Sequence, residues 1–163
     1  CAQPLSLLER RVECPACRFV HYANPIPAVA ALVLDENERL LLARRAQEPF
    51  AGRWDMPGGF LEEGERPVEA LRRELEEETS LTVAVGRLVG VYPDAYGEGP
   101  DAVEVVNLAW EAIPVAGDPA PADDVSELRW FSLDELPPRD ELAFGWIAPM
   151  LEEWVAARRG RSS

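Results

Sequence analysis

The spacing of apolar and polar residues along the chain predicts strands and helices in alternation, as in a mixed α/β domain. Residues 28–34 form an apolar run rich in β-branched side chains, and residues 39–43 are apolar again after a polar turn, which predicts a hairpin. Residues 114–124 are expected to form a solvated loop, and 133–136 a brief helix. Three further segments have the composition of strands: 81–92, 103–112 and 129–131.

Two longer segments have helical periodicity. Within 65–78, Val68, Leu71 and Leu75 recur at steps of three and four residues, which predicts a helix with one apolar stripe. The segment 144–159 places its large apolar residues on one face, which predicts a closing amphipathic helix.

The N-terminal residues predict a small separate module, with units at 1–23 and 24–163. Cys14 and Cys17 form a Cys-x-x-Cys pair, and Cys1 lies 13 residues before Cys14. Tetrahedral zinc takes four thiolate or imidazole ligands. The spacing therefore predicts a truncated zinc ribbon in which Cys1, Cys14 and Cys17 bind a structural Zn²⁺.

The fourth zinc ligand has two candidates. We expect residues ahead of Cys1, because the chain does not begin like a translation start or a secretion signal, and a cysteine there would complete a second pair. His21, the single histidine, is the other candidate, with an ordinary strand residue as the alternative interpretation. Free thiols are the alternative to zinc for the whole set.

The net charge of the chain limits the classes of partner that it can bind. Sixteen Lys and Arg against thirty Asp and Glu give a formal net charge of −14 over 163 residues. This sign opposes sequence-independent binding to a nucleic-acid backbone, although a capped RNA end stays open as a substrate. The absence of a membrane-spanning apolar run and of a secretion signal predicts a cytoplasmic protein without a membrane partner.

The candidate chemistry lies in an acidic segment. Glu74, Glu77 and Glu78 occupy positions i, i+3 and i+4 of the predicted helix and therefore share one face. Sharing a divalent cation would relieve their repulsion, and oxygen ligands favour Mg²⁺ or Mn²⁺ over zinc. A solvated acidic face is the alternative. The preceding Pro57-Gly58-Gly59 turn favours a cation, because glycines allow close backbone approach, and Arg73 can orient a carboxylate.

The segment from Gly59 to Leu81 resembles the Nudix box, Gly-x5-Glu-x7-Arg-Glu-U-x-Glu-Glu-x-Gly-U, in which U is aliphatic. Eight of the nine specified positions match: Gly59, Glu65, Arg73, Glu74, Leu75, Glu77, Glu78 and Leu81. Ser80 replaces the last glycine, and we expect it to adopt the left-handed conformation at a cost of about 1 kcal/mol. The likeness extends over residues 28–154.

The N-terminal residues add a second likeness. The Cys14–Cys17 pair leading into Tyr22-Ala23-Asn24-Pro25 resembles the zinc-ribbon branch of the family, which includes the NADH pyrophosphatases. However, residues 91–96 do not match the stretch that those enzymes carry after the box. The identity of the substrate therefore stays open.

The resemblance implies a Nudix fold, an α/β/α sandwich around a mixed sheet. It also implies metal-dependent cleavage of a nucleoside diphosphate linked to another moiety, as in a dinucleotide or nucleotide sugar. Homodimers are common in the family, so the resemblance allows a homodimer, which the sequence itself does not show. A non-catalytic Nudix-like module that senses a nucleotide or docks a partner is the alternative function.

By position, the resemblance also implies roles for the residues of the box. Glu74 and Glu78 would bind Mg²⁺, and Glu77 would be a further ligand or the base that accepts a proton from water. Arg73 would orient the glutamates. Glu65 would support the cluster from the first helical turn.

Five residues outside this set complete the expected site. The carbonyl of Gly58 or Gly59 would coordinate the metal. Glu127 is the candidate for a carboxylate from outside the box, with a solvated strand residue as the alternative. Arg45 could bind phosphate and Tyr96 could stack on a base, whereas a paired surface arginine and a core tyrosine are the respective alternatives.

Overall fold

The computed structural model describes residues 6–8 and 11–160 of the chain. The strands in these residues are β1 (Ser6–Leu8), β2 (Arg11–Glu13), β3 (Val20–Tyr22), β4 (Ile26–Val33), β5 (Leu40–Arg45), β6 (Trp54–Asp55), β7 (Gly58–Phe60), β8 (Thr82–Tyr96), β9 (Val103–Ala116) and β10 (Val125–Phe131). The α-helices are α1 (Pro67–Thr79) and α2 (Ile147–Arg159). Short 3₁₀ turns occur at Gly99–Asp101 and Arg139–Glu141.

The strands form three sheets. The central sheet has the order β7-β4-β9-β8, in which β4 and β9 are parallel and the other neighbours are antiparallel. Strands β10, β5 and β6 form a second, antiparallel sheet, and β1, β2 and β3 form a third. The predicted α/β class with a mixed sheet is therefore confirmed.

Strand β4 separates the two halves of the core. Its residues Val29, Ala31 and Val33 pack in the cluster that contains the apolar stripe of α1. Ala30 and Leu32, which alternate with them, pack in the cluster that contains α2. Because successive side chains of a strand point to opposite faces, the two helices lie on opposite sides of the sheet.

The predicted hairpin of β4 and β5 is wrong beyond its turn. The Asp35 carboxylate accepts the backbone N–H groups of Asn37 and Arg39 at 2.9 and 2.8 Å, and Leu34 bridges Leu40. After this bridge the two strands separate into different sheets. The physical reason is that both strands are apolar on both faces, so each needs cover on two sides, which a half-exposed hairpin does not give.

Several predicted boundaries shift. Strand β8 continues to Tyr96 and β9 to Ala116, so the loop before β10 is shorter than predicted. The helix expected at 133–136 is absent, and a single 3₁₀ turn follows Pro138 instead. Both long helices are confirmed, with α1 beginning at Pro67, where the missing proline N–H costs no helical bond.

The N-terminal sheet carries two of the three predicted zinc ligands. Cys14 is buried and Cys17 is exposed, and hydrogen bonds from the backbone N–H of Cys17, from its side chain and from the Ala16 backbone lower the pKa of the Cys14 thiol. Cys1 lies outside the described residues. His21 is an exposed residue of β3 opposite Val12, as the strand interpretation predicted.

Among the described residues, each of the two α-helices has 13 residues, and neither is long and apolar enough to cross a bilayer.

Helix α1 ends in the conformation that the sequence predicted. Ser80 has φ 60° and ψ 18°, in the left-handed region, and its backbone N–H donates to the carbonyl oxygen of Glu76 at 3.0 Å. The following loop returns against this turn, since a Cβ on Gly117 would lie 2.2 Å from the Ser80 carbonyl oxygen. The turn is thus a fixed geometry that a serine occupies under strain.

Replacing Ser80 by glycine should raise the free energy of unfolding by about 1 kcal/mol, because glycine adopts positive φ without the Cβ clash. Urea unfolding of the two proteins measures this difference. Ser80→Ala is the matched control, since it keeps a Cβ and removes only the exposed hydroxyl. A Ser80→Gly protein no more stable than Ser80→Ala would contradict the strain argument.

Candidate active site

A cavity of about 240 Å³ opens between the central sheet, α1 and the chain around Phe144. Its floor is made of small residues, including Ala28, Ala30, Gly58 and Gly59. Arg45 is the single cationic residue among the described residues that line it. The acidic residues in the lining are Asp55, Glu74, Glu78, Asp94, Asp123 and Asp124. The excess of negative charge marks this cavity as a site for cations or for a cation-bound ligand.

Two glycines of β7 bring the carboxylates of α1 onto the sheet. The backbone N–H of Gly58 donates to Glu78 Oε2 at 2.9 Å. A Cβ on Gly59 would lie 2.5 Å from Glu74 Oε1, so a larger residue there would displace the carboxylate that Arg73 holds. Gly58 has φ +147°, and a Cβ there would lie 2.1 Å from the Val29 carbonyl oxygen. Both glycines are therefore needed for close approach.

Arg73 joins the acidic residues of the box. Its Nε and Nη2 donate to Glu65 Oε1 and Oε2, both at 3.0 Å, in a bidentate pair. Its Nη1 donates to Glu74 Oε1 at 2.9 Å and to Glu77 Oε2 at 3.0 Å. Nη2 also donates to the carbonyl oxygen of Phe60 at 3.2 Å. The helix is thus tied through one guanidinium to the end of β7.

Burial sets the protonation of the two inner glutamates. Desolvation raises the pKa of Glu78 well above its usual value, outweighing the Gly58 N–H, and the charges of Asp124 and Asp55 add to the rise. Desolvation also raises the pKa of Glu74, against the opposing effect of Arg73. Both carboxylates would therefore gain from a cation that compensates their charge.

The two outer glutamates of the box have different surroundings. Hydrogen bonds from Arg73 lower the pKa of Glu65. Glu65 lies two residues before the start of α1 at Pro67, and not in the first helical turn as predicted. Glu77 contacts the same guanidinium, but half of its side chain is exposed and it does not line the cavity. Glu77 therefore lies at the rim, while Glu74 and Glu78 lie inside.

The predicted substrate residues Arg45 and Tyr96 lie together in the cavity wall. Arg45 Nη1 donates to Asp55 Oδ2 at 3.0 Å, and Nη2 donates to the Tyr96 hydroxyl at 3.3 Å. The Tyr96 ring stacks on Phe144, with ring centroids 5.6 Å apart. Burial raises the pKa of Asp55 to about 6, although Arg45 opposes the rise.

Glu127 is not brought to this cavity. Its carboxylate pairs with Arg44 at 3.3 Å and with Arg129 at 2.5 Å on strand β10. Asp124 lines the cavity instead, a few residues earlier in the chain. Its loop is attached to the end of α1, because the Ala120 and Ala122 N–H groups donate to the carbonyl oxygens of Thr79 and Glu78 at 3.0 and 3.1 Å.

Sequence reasoning missed Asp55 and Asp124 as cavity residues. The sequence did offer a reason to consider Asp55, because it stands between Trp54 and the Pro-Gly-Gly turn, within the segment that leads into the box. No sequence feature pointed to Asp124, because it lies in an irregular loop without periodicity. Among the described residues, no three His, Cys, Asp or Glu side chains are already arranged to enclose a metal ion.

The NUDIX domain family matches residues 24–153 of the chain. A relative from Methanocaldococcus jannaschii named ADP-ribose pyrophosphatase is 37% identical over 125 residues, which cover 76% of this chain and 69% of that protein. A relative from Vibrio atlanticus named NAD-capped RNA hydrolase is 31% identical over 144 residues, which cover 87% of this chain. The chain spans 49% of that second relative's length.

A solved structure has the same fold. The crystal structure of a NUDIX hydrolase from Nitrosomonas europaea superposes with a TM-score of 0.80 at 30% identity, covering 98% of this chain and 92% of that one. The match to the family, the two named hydrolytic relatives and this superposition agree with the presence of the box residues Gly59, Glu74 and Glu78 in the cavity lining. The chain belongs to the Nudix domain family and is a Nudix hydrolase.

Proposed function

We propose that the enzyme is a Mg²⁺- or Mn²⁺-dependent pyrophosphohydrolase that cleaves the diphosphate of a nucleoside diphosphate linked to another moiety. The observation that carries this proposal is the approach of Glu74 and Glu78 to the two glycines of β7 inside an acidic cavity. An isolated acidic cavity would repel a diphosphate, so the substrate requires accompanying cations. The names of the relatives support the same class of substrate.

The donors in the cavity fit a hard divalent cation. Glu74, Glu78 and Asp124 supply carboxylate oxygens, which Mg²⁺ and Mn²⁺ prefer. The raised pKa values of both glutamates show that their charges are poorly compensated without a cation. We assign these three residues as the metal ligands, with the Gly58 carbonyl as an additional donor. When bound, the cation would neutralise the diphosphate and acidify a water molecule.

The chain's own residues then have distinct tasks. Arg73 keeps Glu74 and Glu77 in place through its Nη1, while its bidentate pair with Glu65 fixes the guanidinium. Glu77, at the rim, accepts the proton of the attacking water. Arg45 faces the cavity as its cation and binds a phosphate oxygen.

The N-terminal module is proposed to hold zinc. We assign Cys1, Cys14 and Cys17 as three of its ligands. The support is the lowered pKa of Cys14, because the N–H groups that hydrogen-bond its sulfur stabilise the thiolate that zinc requires.

Glu77→Gln should lower kcat about 100-fold or more, because the amide cannot accept the proton from water. Product release from a panel of nucleoside diphosphate derivatives with Mg²⁺ measures this loss. Glu76→Gln is the matched control, since Glu76 is an exposed neighbour on the same helix. Unchanged kcat in Glu77→Gln would contradict the base assignment, and a wild type inactive on the whole panel would favour the non-catalytic module.

Asp124→Asn and Glu127→Gln distinguish the carboxylate in the cavity from the one that the sequence predicted. We expect Asp124→Asn to raise the Mg²⁺ concentration for half-maximal activity by about tenfold or more, because it removes a charged ligand. Glu127→Gln should change this concentration little, since Glu127 pairs with Arg44 and Arg129. A Mg²⁺ titration of both variants decides, and the reverse order of effects would restore Glu127 as the ligand.

Magnesium should stabilise the fold more at pH 7.5 than at pH 5. The pKa values of Glu74, Glu78 and Asp55 are raised in the folded chain, that of Asp55 to about 6, so the folded state retains protons that the unfolded chain releases. In the metal-free protein, the stability that comes from these retained protons is complete below the unfolded pKa values, and it is lost as the pH rises through the folded pKa values. Magnesium binds the ionised carboxylates, so it compensates this loss at the higher pH. For Asp55 alone the loss is on the order of 3 kcal/mol.

Urea unfolding of the metal-free protein at the two pH values, with and without Mg²⁺, measures the effect. Glu74→Gln combined with Glu78→Gln is the control variant, in which both the pH dependence and the Mg²⁺ effect should shrink. Equal stabilisation by Mg²⁺ at both pH values would contradict the assignment of these carboxylates as ligands.

A further inference from the structure

The cavity has a polar end that the proposed chemistry does not use. Asp94 on β8 and Asn107 on β9 both line it, on the side of the sheet that faces Trp146. Strand β8 lies three positions from β7 in the sheet order. At about 4.8 Å per strand, β8 lies about 14 Å and β9 about 10 Å along the sheet from β7, the strand on which the carboxylates of α1 pack. A nucleoside whose phosphates lie at the metal end would place its base at this polar end.

Asp94 is held as a fixed acceptor. Its Oδ1 accepts the backbone N–H of Ala95 at 2.8 Å, and its Oδ2 accepts the backbone N–H of Trp146 at 3.1 Å. Each carboxylate oxygen accepts more than one hydrogen bond, so both have capacity left for a donor on a ligand in the cavity that Asp94 lines. Two acceptor atoms side by side match a ligand with two adjacent N–H or O–H donors.

Asn107 supplies the complementary donor. Its Nδ2 donates to the carbonyl oxygen of Tyr92 at 3.2 Å, which leaves the second amide hydrogen for a ligand. In the register of β8 and β9, Asn107 pairs with Tyr92 and Asp94 pairs with Val105. Asp94 and Asn107 are therefore diagonal neighbours on one face, about 7–8 Å apart at the backbone, a spacing that suits the edge of a single base.

The space between the two ends suits a flat ring. Ala28 and Ala95 contribute small side chains to the lining, and Tyr96, Phe144 and Trp146 contribute aromatic ones. Base stacking on aromatic side chains is tolerant of the base's identity. The choice among bases therefore depends on Asp94 and Asn107.

We propose that Asp94 and Asn107 form a subsite for guanine, so that the substrates of this enzyme are guanosine diphosphate derivatives. Asp94 accepts the adjacent N1–H and 2-amino N–H of the base, and Asn107 donates to O6. Adenine fits less well, because a ring nitrogen acceptor stands beside its amino group and would face an acceptor of the site. A ribose 2′,3′-diol also offers two adjacent donors, but in a nucleoside the ribose lies nearer the phosphates than the base does.

The proposal rests on the proposed function, since it names the base of the same substrate, but equilibrium binding tests it separately from hydrolysis. Titration calorimetry in Ca²⁺ with GDP, IDP, XDP and ADP compares bases that differ at the 2- and 6-positions. We expect GDP to bind about tenfold or more tightly than IDP, which lacks the 2-amino group, because a site built for that donor rejects a base without it. Equal binding of GDP and IDP overturns the proposal, whatever the outcome of the hydrolysis panel.

Asp94→Asn turns an acceptor into a donor. We expect the preference to change from GDP to XDP, whose 2-oxo group is an acceptor, and a purely structural role of Asp94 would instead weaken all four nucleotides alike. Asn107→Asp is the second variant, which should shift the preference from GDP towards ADP with its 6-amino group. Asp101→Asn, an exposed aspartate outside the cavity lining, is the matched control and should leave the order of affinities unchanged.

A comparison of GDP with its 2′-deoxy form distinguishes the diol from the base. Retention of affinity for 2′-deoxy-GDP supports recognition of guanine. A loss as large as that caused by removing the 2-amino group assigns Asp94 to the ribose and overturns the proposal.

Discussion

The arrangement of the site depends on one guanidinium that holds together several carboxylates that repel one another. Arg73 donates to Glu65, Glu74 and Glu77 at 2.9–3.0 Å and also to the backbone of Phe60. Without this contact, the repulsion among neighbouring acids on one helix face would drive their side chains apart into solvent. The planar, permanently charged head of arginine suits this task, because its five N–H donors point in fixed directions.

The second constraint is steric. The space that the missing side chains of Gly58 and Gly59 leave is filled by the Val29 carbonyl oxygen and the Glu74 carboxylate. The central sheet and α1 therefore meet closely at this one edge, while apolar side chains separate them elsewhere. A carboxylate cluster packed this closely on its sheet side would need little reorganisation to bind a cation.

The sequence predicted those parts of the site that obey a period or a fixed spacing. The helical repeat placed Glu74 and Glu78 on one face, and the last glycine position of the box required the left-handed geometry that Ser80 adopts. The divergence of β4 and β5 was missed because an apolar run does not show whether one or two layers will cover it. Asp124 was missed because its position follows from long-range contacts of a loop, which leave no pattern in the chain.

The loop that carries Asp124 belongs mechanically to helix α1, since two of its backbone N–H groups bind the carbonyls that the helix leaves open and Gly117 packs on the turn at Ser80. The C-terminal end of α1 thus positions the loop that carries Asp124. In related chains, insertions or deletions between the loop's contact with α1 and strand β10 could change the sequence position of the acidic residue that corresponds to Asp124. Its location in the cavity would stay the same. Alignment by motif spacing alone would then point to the wrong position, because spacing along the chain does not record the loop's contact with α1.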